Sequence, residues 1–193
     1  MALLFEGALG GLALLIGWLI DFDPLQTLTF DLRGLFWGVA GAIPMLVVFR
    51  LLVGVSAPPM VEIRRILDEI IGAFFVRCST AELAVVAGVA GLGEEALFRG
   101  LVQGYLDARM EPETALLLAS ALFGLVHPLT RAYVVLAAVF GCYLGWLWLV
   151  TQNLVAPVVA HGFYDFLALR TLVRRHRHSA HAGFDPDSRI QND

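Results

Sequence analysis

Six runs of mostly apolar residues, at 2–20, 34–54, 81–106, 112–128, 132–150 and 153–173, do most to narrow what this chain can fold into. Each approaches the length a helix needs to cross a hydrocarbon layer of about 30 Å at about 1.5 Å per residue. In lipid the backbone polar groups must be satisfied within the segment, so runs of this kind become helices. The overall balance agrees. Hydrophobic residues make up 59% of the chain and charged residues 16%, with a mean hydropathy of +0.77, against roughly 45–50% and about 25% in soluble domains. The expectation is an all-α fold: a polytopic transmembrane helical bundle of about six spans, forming a single membrane-embedded domain over 1–173, with a polar cytoplasmic tail at 174–193.

Between the second and third runs the pattern changes. Ile63, Ile66, Leu67, Ile70, Ile71, Phe74 and Phe75 recur at helical spacing, with Glu62, Arg64, Arg65, Asp68 and Glu69 opposite. This predicts an amphipathic helix that lies in the membrane interface, gates the bundle, or simply connects two spans. Ser79 with Glu82 offers a capping box for the third span, and Pro112 between Glu111 and Glu113 starts the fourth. The first run lacks a basic n-region and a small-residue cleavage site and reads as a retained helix, with Glu6 close enough to its end to reach the interface. Cys78 and Cys142 suit small buried or interfacial side chains better than a disulfide or metal framework.

All 13 basic residues are arginine, and cytoplasmic flanks collect positive charge. Six spans with both termini inside place Arg50, Arg64, Arg65, Arg77, Arg131, Arg170, Arg174, Arg175, Arg177 and Arg189 on the cytoplasmic side, leaving Arg33 and Arg109 outside. The acidic first loop, with Asp21, Asp23 and Asp31, falls outside too. The predicted protein is therefore multi-pass in the cell membrane. His176, His178 and His181 in the poorly ordered tail could bind metal, but a solvated tail facing anionic lipid is the favoured reading.

Ionisable groups also stand inside the apolar runs: Glu94, Glu95 and Arg99, then His127, then His161 and Asp165. A charged side chain at mid-bilayer costs about 2.5–3.5 kcal/mol on insertion scales, so a set of them marks function. Counted from the cytoplasmic ends, Glu94 lies at about 20 Å depth, His161 at about 18 Å, Asp165 at about 12 Å and His127 at about 8 Å. With boundary errors of about 6 Å, these depths are compatible with one cavity. Glu95 with Arg99, and His161 with Asp165, are i, i+4 pairs that can touch, whereas Glu94 points elsewhere. Ala84 and Gly88, Gly100 and Gly104, and Gly141 and Gly145 are spaced for close helix packing. Taken singly, each group has an ordinary explanation. Glu95 and Arg99 read as a structural salt bridge, with Arg99 within reach of the outer interface; His127, beside Pro128, reads as a capping histidine; His161 and Asp165 read as a satisfied polar pair. Phe123, Tyr164, Trp146 and Trp148 are most simply packing residues. Together the groups favour chemistry.

The three motifs, Glu94-Glu95-x-x-x-Arg99, Phe123-x-x-x-His127 and His161-x-x-x-Asp165, occur in the order found in the CPBP intramembrane proteases, and the stretch from about 81 to 172 resembles that family. It is named for the CAAX prenyl endopeptidases and bacteriocin-processing enzymes and is also called the Abi family. The resemblance implies an intramembrane endopeptidase acting on a membrane-associated or lipidated protein or peptide. In it Glu94 would take a proton from water, His127 would help hold that water, and His161 and residue 165 would stabilise the oxyanion, with Glu95 and Arg99 supporting. Peptide hydrolysis needs an activated water and donors aimed at the developing charge. Position 165 is Asp where some members have Asn. An ionised Asp cannot donate a hydrogen bond, so it must be protonated, orient His161, or serve as a ligand. Glu94, His127, His161 and Asp165 are Zn ligand types without the short His-Glu-x-x-His spacing, so a metal-free mechanism with no cofactor is preferred and a Zn-dependent peptidase is the alternative. The partners implied are the lipid bilayer and the substrate, with no nucleic acid. Competing classes are a non-enzymatic membrane immunity or scaffold protein of the same fold, and a proton-relay transporter, against which small size and the absence of a repeat count.

Overall fold

The computed structural model describes residues 2–182, and among these every regular element is a helix. Met1 and residues 183–193, which include Arg189 of the expected tail, lie outside the described residues, as does the side chain of His181. The helices are α1 (Ala2–Leu19), α2 (Leu32–Val53), α3 (Pro58–Phe75), α4 (Thr80–Asp107), α5 (Pro112–Leu125), α6 (Arg131–Thr151) and α7 (Val155–Ala182). Helix α7 is central and packs on both α2 and α4; α1 lies against α4, and α5 pairs with α6.

Local chemistry sets the helix ends. The Asp31 carboxylate accepts from the Gly34 amide at 2.6 Å to start α2. Ser79 and Glu82 form the expected reciprocal box at the start of α4, and Pro112 opens α5, where a missing N–H costs nothing. Helix α5 stops at Leu125, earlier than the apolar run suggests, because Pro128 disfavours helical backbone before it.

The outward faces of α1, α2, α5 and α6 are apolar, with Leu4, Trp18, Phe36, Ile43, Leu117 and Val135 all exposed. Apolar surface this extensive marks a membrane-facing exterior. The protein is a helical membrane bundle. By length and apolarity α1, α2 and α6 qualify as spans, with a fourth if α3 and α4, bent by 114° at their junction, count as one broken element. The six apolar runs exceed that number for two reasons. The 14 residues of α5 rise only about 21 Å, and α4 and α7 carry the ionisable residues that lower their hydropathy.

The amphipathic helix α3 is present. Ile63, Leu67 and Phe75 face a cavity inside the bundle while Phe74 is exposed. Arg64 holds α3 by donating to the Leu52 and Val55 carbonyls. The segment expected to be a poorly ordered tail instead continues α7 as helix to Ala182. There His176 Nδ1 lies 2.8 Å from Asp68, and Arg177 donates to the carbonyls of Val76 and Cys78, satisfying backbone oxygens orphaned near the end of α3.

Of the glycines the spacing favoured on α4, Gly100 stands tight against the Pro24 carbonyl, but Gly88 is open and the close approaches to α7 and α1 rest on two others. Nothing would meet a Cβ on Gly88, whereas one on Gly91 would come within 2.8 Å of the Gly162 nitrogen, and one on Gly93 would strike the Glu6 carbonyl oxygen. Gly93→Ala is therefore expected to lower the thermal midpoint of the purified protein, overpacking costing about 1–3 kcal/mol. Gly88→Ala, gaining about 0.5–1 kcal/mol from helix propensity, is expected to leave the midpoint unchanged or raise it. Equal effects would contradict this packing.

Candidate active site

The polar residues of the motifs meet where α1, α4, α5 and α7 converge. A cavity of about 320 Å³ is lined by Glu6, Glu94, His127, His161 and Asp165, and its remaining wall is mostly apolar, including Phe49, Leu67, Phe140 and Tyr164. Glu95 and Arg99 lie behind it, wholly buried at 0% and 1% exposure. The helix is wider over Ala96–Gln103, with π-type turns, a departure common at functional sites.

The buried layer is a connected network. Glu95 Oε1 accepts from Arg99 Nη1 at 2.9 Å and from His161 Nδ1 at 2.7 Å. Arg99 Nη2 donates to the Gly141 carbonyl at 2.8 Å, and its guanidinium carbon sits 4.6 Å from the centre of the Phe123 ring. Two of the arginine's N–H groups thus meet acceptors and its plane meets a π face, which offsets part of the cost of burying the ion pair. Arg99 points inward, so its expected reach to the outer interface is not realised. Phe123 also packs edge-on to His161 and stacks near His127, centroids 6.1 and 4.6 Å apart. It is packing, as expected, but of a kind that spaces three polar groups. Gln103, fully buried and donating to the Gly145 carbonyl at 3.2 Å, is a further α4–α6 tie that the motifs do not mark.

In the cavity, His127 Nε2 lies 3.6 Å from Glu94 Oε2, and His161 Nε2 lies 3.5 Å from Asp165 Oδ2. His127 Nδ1 is 2.7 Å from the Phe123 carbonyl. A carbonyl only accepts, so Nδ1 carries the hydrogen and a neutral ring presents the lone pair of Nε2 toward Glu94. The capping role and the inward-facing role therefore belong to the same histidine. Glu94 Oε2 is buried and has no hydrogen-bond partner.

One site residue escaped the sequence reading. Glu6 does not reach the interface: its Oε2 is buried, and its carboxyl lies within hydrogen-bonding reach of Glu94. Gly93 makes this possible by letting the α1 backbone touch α4 at Glu6. The signal was there, an ionisable residue inside an apolar helix, but proximity to the chain start gave it an ordinary explanation. Among the described residues no group of three or more His, Cys, Asp or Glu side chains is arranged to hold a metal ion.

Residues 77–167 match the family model described as type II CAAX prenyl endopeptidase Rce1-like. Over that stretch, just under half of its length, the chain is similar to the Rce1-like family. The match includes all seven motif residues from Glu94 to Asp165, while α1, α2 and α3 lie outside it. The matched stretch supports, at the level of family, a likeness to CAAX-type proteases. No curated protein and no solved structure matches the chain.

Within the matched stretch the buried network separates from the cavity-lining groups by its expected effect on stability. Arg99→Ala would leave the buried Glu95 carboxylate with His161 alone in place of its guanidinium partner, removal of one partner of a buried pair costing about 3–5 kcal/mol. Its thermal midpoint in detergent is expected to fall well below that of His127→Ala, which loses one helix-end bond of about 1 kcal/mol. The reverse order would contradict the structural assignment of Arg99.

Proposed function

We propose that the protein hydrolyses a peptide bond in a membrane-associated or lipidated protein, using water activated by Glu94 and His127. The facing pair Glu94 and His127, with the histidine tautomer set by the Phe123 carbonyl, carries this reading. A water beside them can give one O–H to the carboxylate and the other to His127 Nε2, leaving a lone pair on its oxygen free for attack. Glu94 takes the proton as the oxygen bonds to the substrate carbonyl carbon, and later returns it to the departing amine nitrogen. Glu6, within reach of the same carboxylate, acts as a positioning residue for Glu94.

The developing oxyanion needs a donor. His161 already commits Nδ1–H to Glu95, so it donates from Nε2 only when the ring carries both protons. Glu95 and Asp165 flank such a ring with negative charge, and an oriented cationic donor stabilises an oxyanion well. In this scheme Asp165 acts through His161, which removes the difficulty of an acceptor-only side chain facing an oxyanion. The apolar wall formed by Phe49, Leu67 and Phe140 suits an apolar segment of the substrate.

No step of this scheme requires a metal. The orientation belongs to the same proposal: a multi-pass protein of the cell membrane with both termini cytoplasmic. Arg50, Arg170 and Arg174 gather at one end, whereas Asp31 joins Asn153 at the turn between α6 and α7.

In proteoliposomes carrying a prenylated CAAX reporter peptide, Glu94→Ala and His127→Ala are each expected to lose cleavage by about 100-fold or more while folding and purifying normally. Full activity in either would overturn the assignment, and a scaffold would keep its cellular effect in both. Purified protein is expected to contain no stoichiometric metal and to survive chelation; stoichiometric Zn with chelator-sensitive cleavage would contradict the metal-free scheme.

A further inference from the structure

Arg50, Arg170 and Arg174 line a second cavity of about 190 Å³ between α2 and α7, together with Leu46, Phe49, Leu167 and Thr171. No carboxylate opens onto it. Several arginines elsewhere are answered, Arg99 by Glu95, Arg64 by two carbonyls, Arg65 by Glu69, and Arg109 by the Tyr105 carbonyl and ring; what sets this cavity apart is that three arginines share it. Among the described residues the three guanidinium groups of this cavity have no hydrogen-bond or ion-pair partner. The Nε of Arg170 is buried without an acceptor, and the Thr171 hydroxyl is already given to the Leu167 carbonyl at 2.7 Å. Three like charges around one small space repel each other, and a buried N–H without an acceptor is a cost, unless an anion satisfies both.

Placement says which kind of anion. Arg50 lies in the last turn of α2, one of the helices able to cross a membrane, so the cavity stands at headgroup level. The helix C-terminus would alone favour Arg50 there, but Arg170 and Arg174 sit within α7 and have no such reason. Leu46 and Leu167 precede Arg50 and Arg170 by about one helical turn, so apolar lining lies one turn deeper in the membrane than the guanidinium groups. A cationic rim above an apolar floor matches a phosphate joined to a glycerol and its acyl chains. Guanidinium forks bind phosphate oxygens two at a time.

We propose that this cavity binds a phosphate-bearing anion, in the membrane the headgroup of an anionic phospholipid, clamped between α2 and α7. The site does not depend on the peptidase reading. It is nevertheless adjacent to the first cavity: Phe49 lines both, and α7 carries His161 and Asp165 as well as Arg170 and Arg174. The bound lipid holds together two helices that also form the wall of the candidate active site.

The test is native mass spectrometry with thermal unfolding of the full chain in detergent, supplemented with dioleoylphosphatidylglycerol, dioleoylphosphatidylcholine or inorganic phosphate. The phosphatidylglycerol is expected to remain bound and to raise the midpoint, and phosphatidylcholine to do neither. Arg50→Gln, Arg170→Gln and Arg174→Gln are each expected to weaken retention about fivefold, the value of one basic residue at a charged membrane surface. Arg131→Gln, which removes the same charge at the start of α6, is expected to leave it unchanged. Arg174 is exposed, so its variant stays informative if Arg170→Gln fails to fold. Equal retention of the two lipids, or an Arg131→Gln effect as large as that of Arg174→Gln, would overturn the proposal. A shift with inorganic phosphate and none with phosphatidylglycerol would overturn the lipid as occupant.

Discussion

The Glu95 carboxylate accepts from Arg99 and His161 at once, and the rest of the site hangs from that bond pair. Arg99 passes the connection to α6 through the Gly141 carbonyl, and His161 passes it to α7. A carboxylate and a guanidinium removed from water cost less the more of their donors and acceptors are met. The bonds made by Glu95 Oε1 and Arg99 Nη2 fix the distance and rotation of three helices, while Glu95 Oε2 is buried without a partner. That constraint aims the free side of His161 into the cavity, beside Asp165 and facing the region of Glu94. The residues that look least involved in chemistry therefore set its geometry.

Close packing does the complementary work. Gly91 and Gly93 let α7 and α1 approach the α4 backbone, and the second approach brings Glu6 to Glu94. Helix α3 then covers the cavity with Ile63 and Leu67 and is held by Arg64, His176 and Arg177. Apolar faces remain outside for lipid, polar groups gather inside, and the network that positions them offsets part of the large cost of ionisable residues in a membrane.

Much of this was legible in the chain. Helical class, the α4 capping box, the amphipathic α3 and the i, i+4 pairing of Glu95 with Arg99 follow from local spacing, and the structure contains each. The order of the three motifs pointed to the family that residues 77–167 match. What spacing could not show depends on contacts between distant segments. The bond from His161 to Glu95 joins α7 to α4, and nothing near either residue announces it. Glu6 and Gly93 form another such pair. Extension of α7 to Ala182 was hidden by polar composition, because the helix there is stabilised by Asp68 and by carbonyls of the α3–α4 junction, not by apolar burial. The reading of six spans treated apolar runs as equivalent, whereas α5 is cut short at Leu125 and α7 is diluted by its own functional groups.

The central claim is that Glu94 makes this bundle a peptidase. It is tested most directly by comparing newly formed peptide termini in membranes of cells carrying the intact chain with those carrying Glu94→Gln, at matched protein levels. The account predicts a set of termini from membrane-associated proteins that appears with the intact chain and disappears with the variant. Indistinguishable sets of termini would contradict it.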